Sequence, residues 1–176
     1  MDAAEYDGWY DTPRGHWIGD REYQLLLRQL APRPGGRLLD VGCGTGWFTR
    51  RLALQAGLDV TGIDIDARSL EFARNHDTRA NYLLGDACHL PFGDDSFNEV
   101  VSIMALCFIP DWTLAMREIV RVCRNRFAIG LLNRYSLKYS PSAWANRQFC
   151  TPVWPGRREI IGRGISCCPC RAPESS

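Results

Sequence analysis

What this sequence has little of narrows its function first. Its 176 residues carry 21 basic and 20 acidic side chains, a formal charge of +1. No field of one sign draws such a chain onto a phosphate backbone or an anionic membrane, so no nucleic-acid partner is expected. Long apolar runs are missing as well: the most hydrophobic stretch, Val100 to Pro110, is short and reads as a buried strand, not a membrane span. The first residues, MDAAEYDGWYD, are acidic and aromatic where a secretory signal is basic and then apolar, and a cytoplasmic setting is expected. There is no paired-knuckle cysteine spacing. Cys167-Cys168-Pro-Cys170 crowds three thiols without a second pair, a poor tetrahedral set, and no metal is expected. Internal repeats and low-complexity segments are also absent.

What is present belongs to an ordinary folded domain, with 45% apolar and 23% charged residues. Cys43, Cys88, Cys107 and Cys123 sit singly in apolar or glycine-rich segments and read as reduced, partly buried thiols. Five short, nearly continuous apolar runs read as strands: Leu38–Val41, Leu58–Ile63, Ala80–Leu84, Phe97–Met104 and Arg126–Leu132. Helical periods separate them. Tyr23, Leu26, Leu27 and Leu30 form one face, with Asp20 as the expected N-cap and Pro32 closing the helix. Trp47–Ala56 ends at Gly57, and Asp66 and Asp111 cap two further helices. This alternation predicts an α/β, doubly wound, mainly parallel sheet with helices on both faces. Ligands of such sheets lie at the carboxyl ends of the strands, which places function at Asp40–Gly46, Asp64, Gly85–Cys88 and Ser102–Cys107.

The sharpest motif is Asp40-Val-Gly-Cys-Gly-Thr-Gly46, between a strand and a helix. Gly42, Gly44 and Gly46 let the backbone turn tightly and approach a ligand. A dinucleotide loop reads G-x-G-x-x-G and seats a pyrophosphate. Here the spacing is G-x-G-x-G, and Asp40 stands where an acid repels a pyrophosphate but suits a sulfonium or an ammonium. Asp64 follows Gly46 at about the offset of a ribose-reading acid. Other roles stay open on the residues alone. Asp40 could cap the glycine turn, Asp64 and Asp66 could both cap a helix, and Asp86 could be a turn acid.

Asp40–Gly46 resembles the first motif of class I S-adenosylmethionine-dependent methyltransferases. The resemblance continues in Val60-Thr-Gly-Ile-Asp-Ile-Asp66, Gly85-Asp86-Ala87, Leu90-Pro-Phe-Gly-Asp-Asp-Ser-Phe97 and Ala115–Val122, and covers roughly residues 5 to 135. The Leu90–Phe97 segment is similar to the loop before the fourth strand in the small-molecule branch that includes ubiquinone and menaquinone biosynthesis enzymes. The resemblance implies S-adenosyl-L-methionine as cofactor, held by Asp40, Gly42, Cys43, Gly44 and Gly46. It further implies Asp64 and Ile65 on the ribose side and Asp86 and Ala87 at the adenine. Asn98 departs from the acid often found after Phe97.

In similar enzymes an aromatic segment folds over the cofactor, which makes residues 1–20 a candidate lid and Tyr6 a cofactor contact; the alternative is a surface segment packed through Tyr6 and Trp9. His16 is a weak candidate base, and no fixed catalytic residue is legible. The segment after the fourth strand, Ser102-Ile-Met-Ala-Leu-Cys107, lacks the Asn/Asp-Pro-Pro-aromatic motif of enzymes that methylate amino-bearing bases and the Pro-Cys pair of cytosine C5 enzymes. A small-molecule methyl acceptor is therefore expected.

Residues 136–176 hold five prolines, clustered cysteines and no alternating strand pair. They are expected to form an irregular, truncated or non-native tail, leaving the domain at 1–135 without the family's C-terminal antiparallel hairpin. The fifth strand would then be an exposed edge open to self-association. Two competing functions remain: a cofactor-binding protein without turnover, and a nicotinamide oxidoreductase.

Overall fold

The computed structural model describes residues 2–131 and the backbone of Phe149–Cys150. Two helices, α1 (Ala3–Trp9) and α2 (Pro13–Leu30), precede the sheet. Then follow β1 (Arg37–Val41), α3 (Trp47–Gln55), β2 (Asp59–Asp64), α4 (Ala67–His76), β3 (Asn81–Leu84) and β4 (Phe97–Ile103). A 3₁₀ turn at Leu106–Phe108, α5 (Trp112–Val122), β5 (Cys123–Gly130) and the short β6 (Phe149–Cys150) complete the order. The strands lie in the sequence β3-β2-β1-β4-β5-β6, parallel except for β6.

Alternation along β1 explains the two cores. Leu38 joins Val60, Val101 and Ala128 in packing against Tyr23, Leu26 and Leu30 of α2 and Phe48 and Leu52 of α3. Leu39 and Val41 join Val100 and Ile129 against Ala115, Ile119 and Val122 of α5. Successive strand residues point to opposite faces, so nearly every residue of β1 is buried. The doubly wound architecture expected from the strand–helix alternation is what the chain forms.

Two boundaries are corrected. Asp20 is not the cap of the first long helix: α2 begins seven residues earlier, at Pro13. Thr12 caps it by accepting the Gly15 N–H at 3.0 Å, and Pro13 stands where a helix has no N–H to satisfy. Asp20 instead turns inside the helix toward Arg51, 2.6 Å away, and His16, 3.2 Å away. The second correction is at the sheet's far edge. β6 pairs antiparallel with β5 at Ile129 and Gly130, so the chain returns to the sheet where only irregular tail was expected. The other expectations for 136–176, including Cys167, Cys168 and Cys170, lie outside the described residues.

Asn98 has a structural use. Its side-chain oxygen accepts the Arg37 N–H at 2.9 Å and fixes the start of β1 beside β4.

Candidate functional site

β1 and β4 are neighbours, but the chain leaves β1 toward β2 and β3 and returns to β4 on the other side. The crevice at this reversal is where open α/β sheets bind ligands. The glycine loop leaves the carboxyl end of β1 there. Gly42 and Cys43 both donate their N–H groups to the Ile63 carbonyl, at 2.8 and 3.2 Å, which docks the loop on the end of β2. Gly42 sits at φ +75°, and a Cβ at this position would collide with the Cβ of Ala105, just past β4. Gly44 is different. It sits at φ +54° with open space where its side chain would be.

The Gly44 N–H donates to Asp64 Oδ2 at 2.7 Å, and Asp64 Oδ1 accepts the Asp66 N–H at 2.9 Å. Asp64 is thereby held at the carboxyl end of β2, and each oxygen keeps a lone pair for a ligand hydroxyl. Asp66 performs the separate task of capping α4, accepting from Arg68 N–H at 3.1 Å and Ser69 Oγ at 2.7 Å. Asp66 is thus the helix cap, while Asp64, at the end of β2, is bound to the glycine loop. Ile65 between them is exposed.

Asp40 lies beneath the loop, 2% exposed, with Oδ2 accepting the Thr49 hydroxyl at 2.7 Å. Burial pushes its carboxyl up to about 7; the Thr49 hydrogen bond opposes this and the nearby Asp64 adds to it. A buried acid near neutrality, beside a second acid, favours an arriving cation. Gly62 pairs with Asp40 across β1 and β2, and a Cβ there would press on Cys43 Sγ at 2.8 Å and Thr49 Cγ2 at 3.2 Å. The Cys43 side chain thus packs onto the sheet at Gly62. Burial, with Asp40 and Asp64 beside it, holds its thiol well above the usual range.

Asp86 follows β3 on an exposed turn. Oδ1 accepts the Cys88 N–H at 2.8 Å, and Oδ2 lies 3.2 Å from His89 Nδ1. The Cys88 bond, then the His89 bond, hold its carboxyl below the usual value. The structure therefore gives Asp86 the turn role directly, at the rim where Ala87 also lies. Tyr82 of β3 reaches the loop from below, and a Cβ on Gly46 would meet its hydroxyl at 2.6 Å.

The N-terminal segment is helical and sits against the glycine loop. Asp7 accepts the Thr45 hydroxyl at 2.8 Å and Arg50 Nη2 at 2.6 Å, and Arg50 Nη1 donates to the Thr45 carbonyl at 2.9 Å. Tyr10, almost fully buried, stacks on Trp47 at 4.2 Å. Tyr6 is partly exposed and meets Tyr10 edge-on at 6.0 Å. His16 lies on the exposed face of α2, paired with Asp20. Sequence reasoning missed Asp7, Thr45, Thr49, Arg50 and Gly62. The one available signal was an acid in an aromatic segment ahead of the loop.

The sequence pattern of a methyltransferase domain matches residues 39–127, taking in the glycine loop, Asp64 and Asp86. The chain belongs to this family, the class I S-adenosylmethionine-dependent methyltransferases. The oxidoreductase alternative falls away with that membership. Malonyl-[acyl-carrier protein] O-methyltransferase of Erwinia pyrifoliae is 39% identical over 123 residues, covering 69% of this chain and 47% of that protein. Methyltransferase GfsG of Streptomyces halstedii is 37% identical over 119 residues, covering 63% of this chain and 43% of its own length. The chain spans about half the length of these relatives. Among solved structures, a putative S-adenosyl-L-methionine-dependent methyltransferase of Methanococcus maripaludis shares the fold, with TM-score 0.63 over 73% of this chain and 61% of that one, at 22% identity. The [4+2]-cyclase SpnF superposes with TM-score 0.59 at 29% identity, over 64% of this chain and 44% of its own. Among the described residues of the methyltransferase domain, no helix is long and apolar enough to cross a membrane, and no group of His, Cys, Asp and Glu could hold a metal ion.

Proposed function

We propose that the protein binds S-adenosyl-L-methionine at the carboxyl ends of β1, β2 and β3 and transfers its methyl group to a small-molecule acceptor. The observation that carries this reading is the Gly44–Asp64 pair: a backbone N–H holds the acid in place while open space is kept above the glycine. The residues present fit the cofactor. Asp64 can accept from two ribose hydroxyls, Ile65 offers an exposed apolar surface beside it, and the turn at Asp86 and Ala87 can border the adenine. Asp40 and Asp64 favour a cationic ligand and oppose a pyrophosphate.

When bound, the cofactor supplies a methyl group activated by its sulfonium. The protein's part is alignment and exclusion of water, the form of catalysis in which fixed orientation contributes most. α1 seats a helix beside the loop, and Tyr6 on it is the lid residue of this reading. The acceptor side is assigned to the segment after β4. Met104 takes φ +62° there and donates its N–H to the Gly130 carbonyl at 2.7 Å, turning the chain out past Gly42 into the 3₁₀ turn. Phe108 and Trp112 are exposed there and favour an acceptor with an apolar part. His16 is exposed on α2 and engaged with Asp20, and no general base is assigned. The same reading sets the protein in the cytoplasm, supported by the free thiols of Cys43, Cys88, Cys107 and Cys123. It also keeps self-association through the part of β5 that does not pair with β6, Cys123 to Ala128, which sedimentation would test.

Calorimetry with S-adenosyl-L-methionine and S-adenosylhomocysteine, followed by a methyl-transfer assay over small carboxylic and hydroxylated acceptors, tests the proposal. Micromolar binding with product formation on one acceptor class is expected. Failure of the folded protein to bind either compound would overturn the cofactor assignment. Binding without turnover on any acceptor would leave a cofactor-binding protein.

A further inference from the structure

The geometry points to Asp7 as a positioning residue for the cofactor loop: its carboxylate clamps Thr45 and Arg50 and holds Gly44 aimed at Asp64. The inference rests on the proposed cofactor site and adds a residue that lies outside every glycine-loop motif. Three bonds close the clamp. Asp7 Oδ1 accepts from the Thr45 hydroxyl at 2.8 Å, Asp7 Oδ2 accepts from Arg50 Nη2 at 2.6 Å, and Arg50 Nη1 donates to the Thr45 carbonyl at 2.9 Å. The side chains of Asp7 and Arg50 are only 13% and 21% exposed, and Thr45 is buried. A charge-assisted pair so shielded is stronger than a surface ion pair and fixes both partners in one geometry.

Thr45 is the residue that matters for the ligand. It lies directly between Gly44, whose N–H holds Asp64, and Gly46, which begins α3 at φ +78°. Gly44 and Gly46 have left-handed backbone with little intrinsic preference for one shape. Held at its hydroxyl and its carbonyl, Thr45 fixes the Thr45–Gly46 peptide, which anchors the loop one residue past Gly44 and narrows the rotations open to the Gly44 N–H. The clamp reaches back to α1, whose C-cap residue Tyr10 is anchored separately on Trp47. Coupling is reciprocal: if α1 stabilises the loop conformation that binds, ligand must stabilise the seat of α1.

The test compares wild type with Asp7→Asn, Asp7→Ala and, as a control on the same helix, Glu5→Gln. Circular dichroism establishes that each is folded; Asp7→Asn preserves volume and is the variant on which the conclusion stands if Asp7→Ala fails to fold. Calorimetry with S-adenosylhomocysteine should show binding weakened about tenfold in Asp7→Asn and unchanged in Glu5→Gln. Hydrogen exchange supplies the readout that a merely structural role would not move. In wild type the ligand should slow exchange across residues 3–10; in Asp7→Asn it should not. Equal affinity in wild type and Asp7→Asn, or a lower melting temperature with affinity intact, would overturn the inference and leave the cofactor site standing. A folded wild type that binds no ligand would instead overturn the cofactor site itself.

Discussion

Asp40 holds its carboxyl where water hardly reaches, and that decides how the site responds to pH. Burial raises it to about 7. Between about pH 4 and 7 the folded protein keeps a proton that the unfolded chain has lost, so the part of the stability that comes from Asp40 is largest in acid and declines as pH rises toward 7. A cationic ligand reverses the preference, because it is held best by the ionised form. Affinity for S-adenosyl-L-methionine should therefore rise by up to about tenfold per pH unit below pH 7 and level off above it. Calorimetry in buffers of different ionisation enthalpy should detect proton release on binding, and Asp40→Asn should abolish both the slope and the release. The glycines make a second prediction at this scale. Gly42→Ala meets Ala105 as well as an unfavourable φ, and should unfold or misfold the loop. Gly44→Ala meets only open space, so the apo protein should lose about 1 kcal/mol from left-handed strain. Its cofactor binding should fall much further, because the methyl occupies the ligand's volume. Near-normal binding by Gly44→Ala would place the ligand elsewhere. Asp40 and Gly42 were legible in the sequence because backbone sterics and charge fix them within one short segment, and Asp64 because it ends the next strand. Asp7 was not, since its partners Thr45 and Arg50 lie 38 and 43 residues away and nothing local announces them.

At the scale of elements, the loop from Leu90 to Asp95 is held to α5 by two side chains, Arg121 and Glu118. Arg121 donates to Glu118 through Nε and Nη2, both at 2.7 Å. It also donates to the carbonyls of Phe92 and Leu90 at 2.7 and 3.1 Å, and to Asp94 at 3.0 Å. Glu118 completes the contact by accepting the Leu90 N–H at 2.9 Å. The Glu118 hydrogen bond, followed by that of Asp94, raises the guanidinium above its usual value, so charge loss plays no part at any ordinary pH. Arg121→Lys keeps the charge but loses the planar fork, and it should cost about 1–3 kcal/mol in urea denaturation. The loss should appear in faster exchange of the loop amides while α2 and β1 stay protected. A change below about 0.5 kcal/mol would show that the loop is held by Phe92 and Phe97 packing instead. This loop and helix were legible as family-like segments, but the contact between them was not. The strands were legible because apolar runs on a doubly covered sheet need no partner information. The start of α2 was misplaced because Asp20 resembles a cap, whereas the Thr12-Pro13 pair is the stronger local signal.

For the whole molecule, the candidate site is a property of the sheet order. Asp40, Asp64 and Asp86 come from the ends of three adjacent strands, and Asp7 comes from the first helix, so no single segment carries the site. A ligand bridging these segments stabilises only the assembled state, and its binding energy becomes unfolding energy. At one hundred times its dissociation constant, S-adenosylhomocysteine should add about 2.7 kcal/mol. For a folded unit of roughly 130 residues, about 4 °C per kcal/mol then predicts a rise in melting temperature near 10 °C. Scanning calorimetry should show one transition moving as a whole, because β1 and β4 at the sheet's centre unfold with the loop they carry. NADH should leave the transition in place, since the loop spacing and Asp40 both oppose a pyrophosphate. In Gly44→Ala the apo transition should persist while the ligand-induced shift disappears, separating a folded sheet from an occupied site. If S-adenosylhomocysteine moved only a minor part of the transition, β1 and β4 would not unfold together with the glycine loop, and the site would belong to a locally folded unit rather than to the sheet.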